Sequence, residues 1–402
     1  MTLSDPANRS LKRDPGMDQH MPHGSRRRVD NSPGLYIHVP FCISKCGYCD
    51  FYSCTDTRLT DEWLGALTRE VELWRGGFGP FDTVYLGGGT PSVLSLLQLE
   101  RLLDAVRGAF DILPGAEVTV EVNPADWGLQ DLLVARSLGI NRINVGVQSF
   151  DDGELRFLGR RHDSRQALAA LANARRAGFE NVGLDLIYGL PGQGFNTWKG
   201  SLEKALLLAP EHLSCYELEL KADTPLGLRY GLGELEPRTG ECLRELFLRT
   251  SELAEGAGYV HYEVSNFARG MEKASRHNRK YWDHTPYLGL GPSAHSFKDN
   301  RRWWNTGSIH DYLRLLGEGR KPVAGSEDLG PDQLAFESLF LGLRTREGID
   351  LEEYRDLSGR DLLQEKGPQI ESWVREGLVR VEGGFLRPTR SGMAVADALA
   401  AL

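Results

Sequence analysis

Cysteine is scarce in this chain, six residues among 402, which is too few for a disulfide scaffold. The N-terminus lacks a charged head leading into an apolar core and a small-residue cleavage site, so a reducing cytoplasm is the expected compartment. Long hydrophobic runs are missing as well. None approaches the roughly 18 apolar residues that a membrane-spanning helix needs. There is no basic surplus either: the formal net charge of −9 argues against a general nucleic-acid binder, whose footprint is a basic stripe. Residues 1–34 lack Phe, Tyr and Trp and mix both charge signs with Pro and Gly. Such a segment buries too little surface to order itself, and a disordered leader is expected over 1–34. Its Arg26, Arg27 and Arg28 read as a solvated run.

What remains is ordinary for a globular chain, with 41% hydrophobic and 26% charged residues. The length predicts one large domain with a smaller appendage, or two domains. Short apolar or β-branched runs that read as buried strands occur at LYIHVP (35–40), DTVYLGGG (82–89), EVTVEVNP (117–124), RINVGVQS (142–149), NVGLDLIYG (181–189) and HLSCYELEL (212–220). Stretches with apolar residues at three- and four-residue spacing lie between them, most closed by Gly or Pro. Six strand–helix units in succession predict an α/β fold, an open or partial (β/α)6 barrel of the TIM type over residues 35–265. Polar and glycine residues collect just after these strands, where barrels of this kind build their sites. Residues 266–330 read as a connecting region. From 331 to 402 helices precede a short two-stranded wing around Gly383 and Gly384, a helical winged-helix-like module for which a lid or docking role is favoured over DNA binding.

Four of the cysteines fall within FCISKCGYCDFYSC (41–54), directly after the first strand. Cys42, Cys46 and Cys49 form CxxxCxxC. A structural zinc site normally takes four ligands from paired knuckles, and no second CxxC exists here. Three thiolates on one short loop suit an iron–sulfur cubane with one iron left open. Cys54, Cys215 and Cys242 read as ordinary thiols.

This arrangement resembles the radical S-adenosylmethionine (SAM) enzymes, and Tyr48 before the third cysteine and GGGTP (87–91) fit that family as well. The resemblance implies a [4Fe–4S] cluster on Cys42, Cys46 and Cys49, with its open iron chelating SAM, whose reduction would give a 5′-deoxyadenosyl radical. It also implies SAM contacts from Tyr36, Gly89, Thr90, Glu121, Gln148, Arg160 and Asp185. Arg160 suits the methionine carboxylate, and Glu121, Gln148 and Asp185 suit the amino group or ribose hydroxyls. Taken singly, each of these residues also reads as a surface or capping residue.

From about residue 34 to 402 the chain is similar to the coproporphyrinogen III oxidase-like branch of that family, which contains both an oxygen-independent dehydrogenase and a haem chaperone. The dehydrogenase loop carries a further cysteine two residues after the third ligand, where this chain has Phe51. HNRKYW (277–282) matches the HNxxYW pattern of the chaperones. The resemblance therefore implies a haem chaperone, with haem as cargo and haem-requiring clients, including respiratory proteins at a membrane it would touch transiently. The alternative is SAM-dependent oxidative decarboxylation of coproporphyrinogen III to protoporphyrinogen IX. His277, Tyr281 and Trp282 become haem-binding candidates, with His295 a weaker one; the same residues also read as core packing and helix capping. Lys221 stands where many relatives have Glu.

Overall fold

The computed structural model describes residues 32–401. Six strands, β1 (Gly34–Val39), β2 (Phe81–Gly88), β3 (Ile112–Val122), β4 (Arg142–Gln148), β5 (Val182–Tyr188) and β6 (His212–Glu217), pair in parallel in that order. Helices α1 (Thr60–Leu73), α2 (Leu96–Ala109), α3 (Leu129–Ser137), α4 (Asp152–Leu158), α5 (Ser164–Arg176) and α6 (Phe195–Leu207) connect them. The strands read as nearly continuous apolar runs because a parallel sheet covered by helices is buried on both faces. Leu35, Ile37, Val39, Leu86, Val120 and Ile143 are all fully enclosed.

The helix starts were legible because their caps are local chemistry. Ser95 opens α2 with a capping box, its hydroxyl accepting from Gln98 N while Gln98 Oε1 accepts from Ser95 N. Asp163 and Gln166 repeat the device at α5.

Two more helices, α7 (Pro225–Gly231) and α8 (Gly240–Gly256), lead to the antiparallel pair β7 (Val260–Glu263) and β8 (Asn266–Ala268), with β8 beside β6. Helix α9 (Arg276–Trp282) follows, then β9 (Tyr287–Leu290), β10 (His295–Lys298), β11 (Arg301–Asn305), α10 (Ile309–Gly317) and β12 (Val323–Asp328). The whole is a twelve-stranded sheet of order β12-β11-β10-β9-β1-β2-β3-β4-β5-β6-β8-β7. Among the described residues no pairing joins β12 to β7, so the curled sheet stays open, as expected.

Two expected boundaries move. Residues 266–330, expected as a connecting region, carry five of the twelve strands: β9 pairs in parallel with β1, Gly34 opposite Tyr287, because YLGL is another buried apolar run. Residues 1–31 of the expected leader lie outside the described residues, but Gly34 is already in β1 and the Ser32 carbonyl accepts from Lys280 Nζ at 2.7 Å.

The C-terminal module has its own core around Leu343, Tyr354, Trp373 and Leu386. It comprises α11 (Pro331–Gly342), β13 (Ile349–Asp350), α12 (Leu351–Ser358), α13 (Leu362–Glu365), α14 (Gly367–Arg375), the hairpin β14 (Val379–Glu382) and β15 (Phe385–Pro388), α15 (Arg390–Met393) and α16 (Ala396–Ala400). The expected wing is present, with β13 as a third strand. The module docks on β7: Val264 N donates to Arg344 O at 2.9 Å and Arg346 N to Tyr262 O at 3.0 Å. It thus covers an edge that would otherwise offer unpaired backbone.

Candidate functional site

The cysteine loop leaves the C-terminal end of β1 and is closed at its base by backbone hydrogen bonds, Cys42 N to Cys54 O at 3.0 Å and Cys54 N to Pro40 O at 2.6 Å. Phe41, fully buried against Trp63 with ring centroids 5.6 Å apart, anchors it. Behind it stands the glycine turn that follows β2. A Cβ on Gly88 (φ +104°) would lie 2.6 Å from the His38 ring, and one on Gly89 would lie 2.7 Å from the Phe41 carbonyl oxygen. The glycine turn is thus packed closely against the chain itself: Gly89 N donates to Val39 O at 2.9 Å and Thr90 N to Phe41 O at 2.8 Å.

Cys42, Cys46 and Cys49 line one cavity of about 510 Å³ together with Gly89, Thr90, Glu121, Gln148, Arg160 and Asp185. Thr90 Oγ1 lies 3.3 Å from Cys42 Sγ. Arg160 holds the floor, its Nη2 donating to Gly146 O at 2.7 Å and its Nη1 to Cys46 Sγ at 3.4 Å, while its buried Nε has no hydrogen-bond partner. Asp185 accepts from Asn144 Nδ2 at 2.6 Å, and Glu121 from the Tyr85 hydroxyl at 2.7 Å. Burial raises both carboxyls, Glu121 to about 7. Burial and the neighbouring thiols likewise raise Cys49 to about 11.

Gln148 sits in a tight γ-turn, with φ 67° and Ser149 N donating to Val147 O at 2.9 Å. A left-handed non-glycine residue at a strand end is strain of the kind that collects at functional positions.

Tyr36 is placed elsewhere. It lines an adjoining inner compartment of about 940 Å³, with Tyr85, His277, Tyr281 and Trp282. The two spaces share Phe51, Gly88, Glu121, Tyr216, Glu217 and Glu219, so they adjoin along these residues.

Helix α9 plugs the N-terminal ends of β2 and β3, opposite the cysteine loop. Arg276 Nη2 pairs with Asp82 at 2.9 Å, Lys280 with Asp82 at 2.8 Å, and His277 N donates to Glu117 Oε1 at 3.2 Å. His277 is 1% exposed; its Nδ1 bonds Thr83 Oγ1 at 2.9 Å and its Nε2 the Tyr281 hydroxyl at 2.9 Å. Its ring stacks on Tyr85 at 5.2 Å and on Tyr36 at 6.3 Å. Burial lowers its pKa to about 3, so the imidazole is neutral.

Other lining residues escaped sequence reading: Tyr85, Glu217, Arg244, Glu263 and Arg344 face the inner compartment. Strand alternation marks Tyr85 as a residue on one face of β2, but Arg344 comes from the C-terminal module and carries no local signal. Lys221 pairs with Glu219 at the cavity mouth.

Fit to the expected cofactors can be tested on these contacts. Among the described residues no three His, Cys, Asp or Glu side chains converge on one ion, so the three thiols share a cavity without forming a single-metal shell. Soft donors spread around a shared space suit a multi-iron cluster. The unpartnered Arg160 Nε beside them suits a ligand carboxylate.

A curled parallel sheet with a three-thiol loop and polar strand ends converging on one cavity defines a radical SAM domain. Residues 36–205 match the radical SAM superfamily and residues 329–395 the HemN C-terminal domain. The chain belongs to the haem chaperone HemW family: it is 37% identical to the haem chaperone HemW of Mycobacterium tuberculosis over 372 residues, covering 91% of this chain and 93% of the relative. The Escherichia coli haem chaperone HemW is 31% identical over 89% of this chain and 94% of its own length. In fold the chain is similar to coproporphyrinogen III oxidase (HemN) from Escherichia coli, with a TM-score of 0.79, 23% identity, and coverage of 92% of this chain and 89% of that one.

Proposed function

We propose that this protein binds haem and hands it to haem-requiring proteins, with a [4Fe–4S] cluster on Cys42, Cys46 and Cys49 and SAM beside it. Among the described residues no helix is long and apolar enough to cross a membrane, so membrane respiratory clients would be met by surface contact.

The observation that carries this reading over the dehydrogenase alternative is the charge of the inner compartment. Glu121, Glu217, Glu219, Glu263 and Asp397 line it against Arg244 and Arg344, and Arg344 is already paired with Asp397. Coproporphyrinogen III carries four carboxylates. Burial pushes Glu121 and Glu263 up to about 7, an environment that resists added negative charge.

When bound, the cluster supplies one-electron chemistry and an open iron. The chain's part is to hold and orient: Arg160 offers its guanidinium to the methionine carboxylate, Asp185 and Gln148 face the remaining polar groups, and the Gly89 turn keeps the cysteine loop in register. The test is an anaerobic haem titration of the cluster-reconstituted protein beside a product assay with coproporphyrinogen III. Haem binding near one per chain without decarboxylated product is expected. Decarboxylation without haem binding overturns the reading in favour of the dehydrogenase.

A further inference from the structure

A haem iron needs an imidazole nitrogen with a free lone pair and open space beyond it for the macrocycle. His277 offers neither. Both its nitrogens are hydrogen-bonded, and the residue is only 1% exposed. On the outer side of α9 the structure holds a further cavity, an open groove of about 590 Å³ between the β9–β11 strands and α11. Tyr281, Tyr287, Phe297, Trp304, Phe336 and Phe340 line it beside the charged Arg302, Glu327 and Glu337 and a second imidazole, His284, whose Nε2 is bonded to Glu337. Phe336 is 53% exposed, a large apolar surface that lies over the seam with the C-terminal module.

His295 opens β10 in this groove. Its side chain is exposed and makes no hydrogen bond or ion pair to any described residue, and it is steadied by stacking on Trp304, centroids 5.9 Å apart and planes at 28°. Partial burial and the Arg302 guanidinium lower its pKa. Tyr281 joins the two spaces: its hydroxyl bonds His277 on the inner side, and its ring meets Tyr287 edge-on at 4.7 Å on the groove side. The HNRKYW segment therefore shapes a wall of the groove through Tyr281.

We propose that haem iron is held in this aromatic groove with His295 as its axial ligand, an inference that rests on the haem-binding reading above and assigns its site. The macrocycle lies against the aromatic walls, as flat apolar rings do. Arg302 is already held between Glu327 at 3.0 Å and Glu337 at 2.7 Å, so the groove offers the propionates no free cation and they face solvent.

The test is a haem titration of the full chain, read by absorbance and by the spin state of the bound iron, for wild type, His295→Ala, His295→Met and His277→Gln. Expected are a histidine-ligated spectrum in wild type, its loss with about tenfold or greater weakening in His295→Ala, and a changed ligand signature in His295→Met. Wild-type spectrum and affinity in His295→Ala, or loss of the signature in His277→Gln alone, overturns the assignment while leaving haem binding intact. A wild-type chain that ignores haem overturns the assignment and the functional reading together.

Discussion

Gly89→Ala probes the joint between the glycine turn and the cysteine loop. The added Cβ would stand 2.7 Å from Phe41 O, 2.9 Å from Val39 O and 3.0 Å from Phe41 N, all backbone atoms that no rotamer change can clear. The turn must therefore retreat, straining the hydrogen bonds from Gly89 N to Val39 O and from Thr90 N to Phe41 O. Overpacking of this sort costs about 1–3 kcal/mol, and each weakened hydrogen bond about 1 kcal/mol, so a loss near 3 kcal/mol is expected. Function is affected as well, because Phe41 precedes Cys42 and Thr90 Oγ1 touches its sulfur. The assay is urea unfolding of the barrel transition, paired with iron content after anaerobic reconstitution. Gly200→Ala is the control: Gly200 lies in α6 with nothing within 4 Å of its added Cβ, and the change should be neutral or gain up to about 1 kcal/mol. A Gly89→Ala protein with the wild-type midpoint and a full iron complement would refute the reasoning.

Three further outcomes follow from single contacts. Arg160→Lys replaces a fork that reaches Gly146 O and Cys46 Sγ, with Nε unpartnered, by one point charge; calorimetry should show SAM binding weakened by about tenfold or more, and unchanged affinity would contradict the assignment. Thr83→Val strips His277 Nδ1 of its buried partner and should lower stability by about 1–3 kcal/mol, a cost that an unshifted denaturation midpoint would rule out. Burial raises the Glu263 carboxyl from 4.5 to about 7, so the folded chain keeps a proton that the unfolded chain has lost; this stabilisation is complete below pH 4.5 and is lost as pH rises through about 7. Glu263→Gln should flatten that part of the profile, and parallel profiles of urea midpoint against pH for the two proteins would sink the claim.

The cysteine loop and the six parallel strands were legible because their signals are local. Three thiols within eight residues constrain their own chemistry, buried strands read as short apolar runs, and capping boxes such as Ser95 with Gln98 announce helix starts. Glu121, Gln148 and Asp185 came from the resemblance to the radical SAM family, and from positions within β3, β4 and β5 they line one cavity with the cysteines. Tyr36, carried over from the same resemblance, lies early in β1 and lines the adjoining inner compartment.

By itself, then, the chain's order of residues determined the fold class and the crowding of three thiols into one loop, since each depends on neighbours a few residues apart. Tertiary structure decided the rest. That β9 extends the sheet beside β1 depends on pairing residues some 250 positions apart, for which a four-residue strand carries no address. That α9 turns inward and ties up both nitrogens of His277, while His295 on a hairpin edge is left open, depends on which surfaces meet when the sheet curls and the C-terminal module closes over it. Accessibility of a lone pair is a property of packing, and packing is written only in three dimensions.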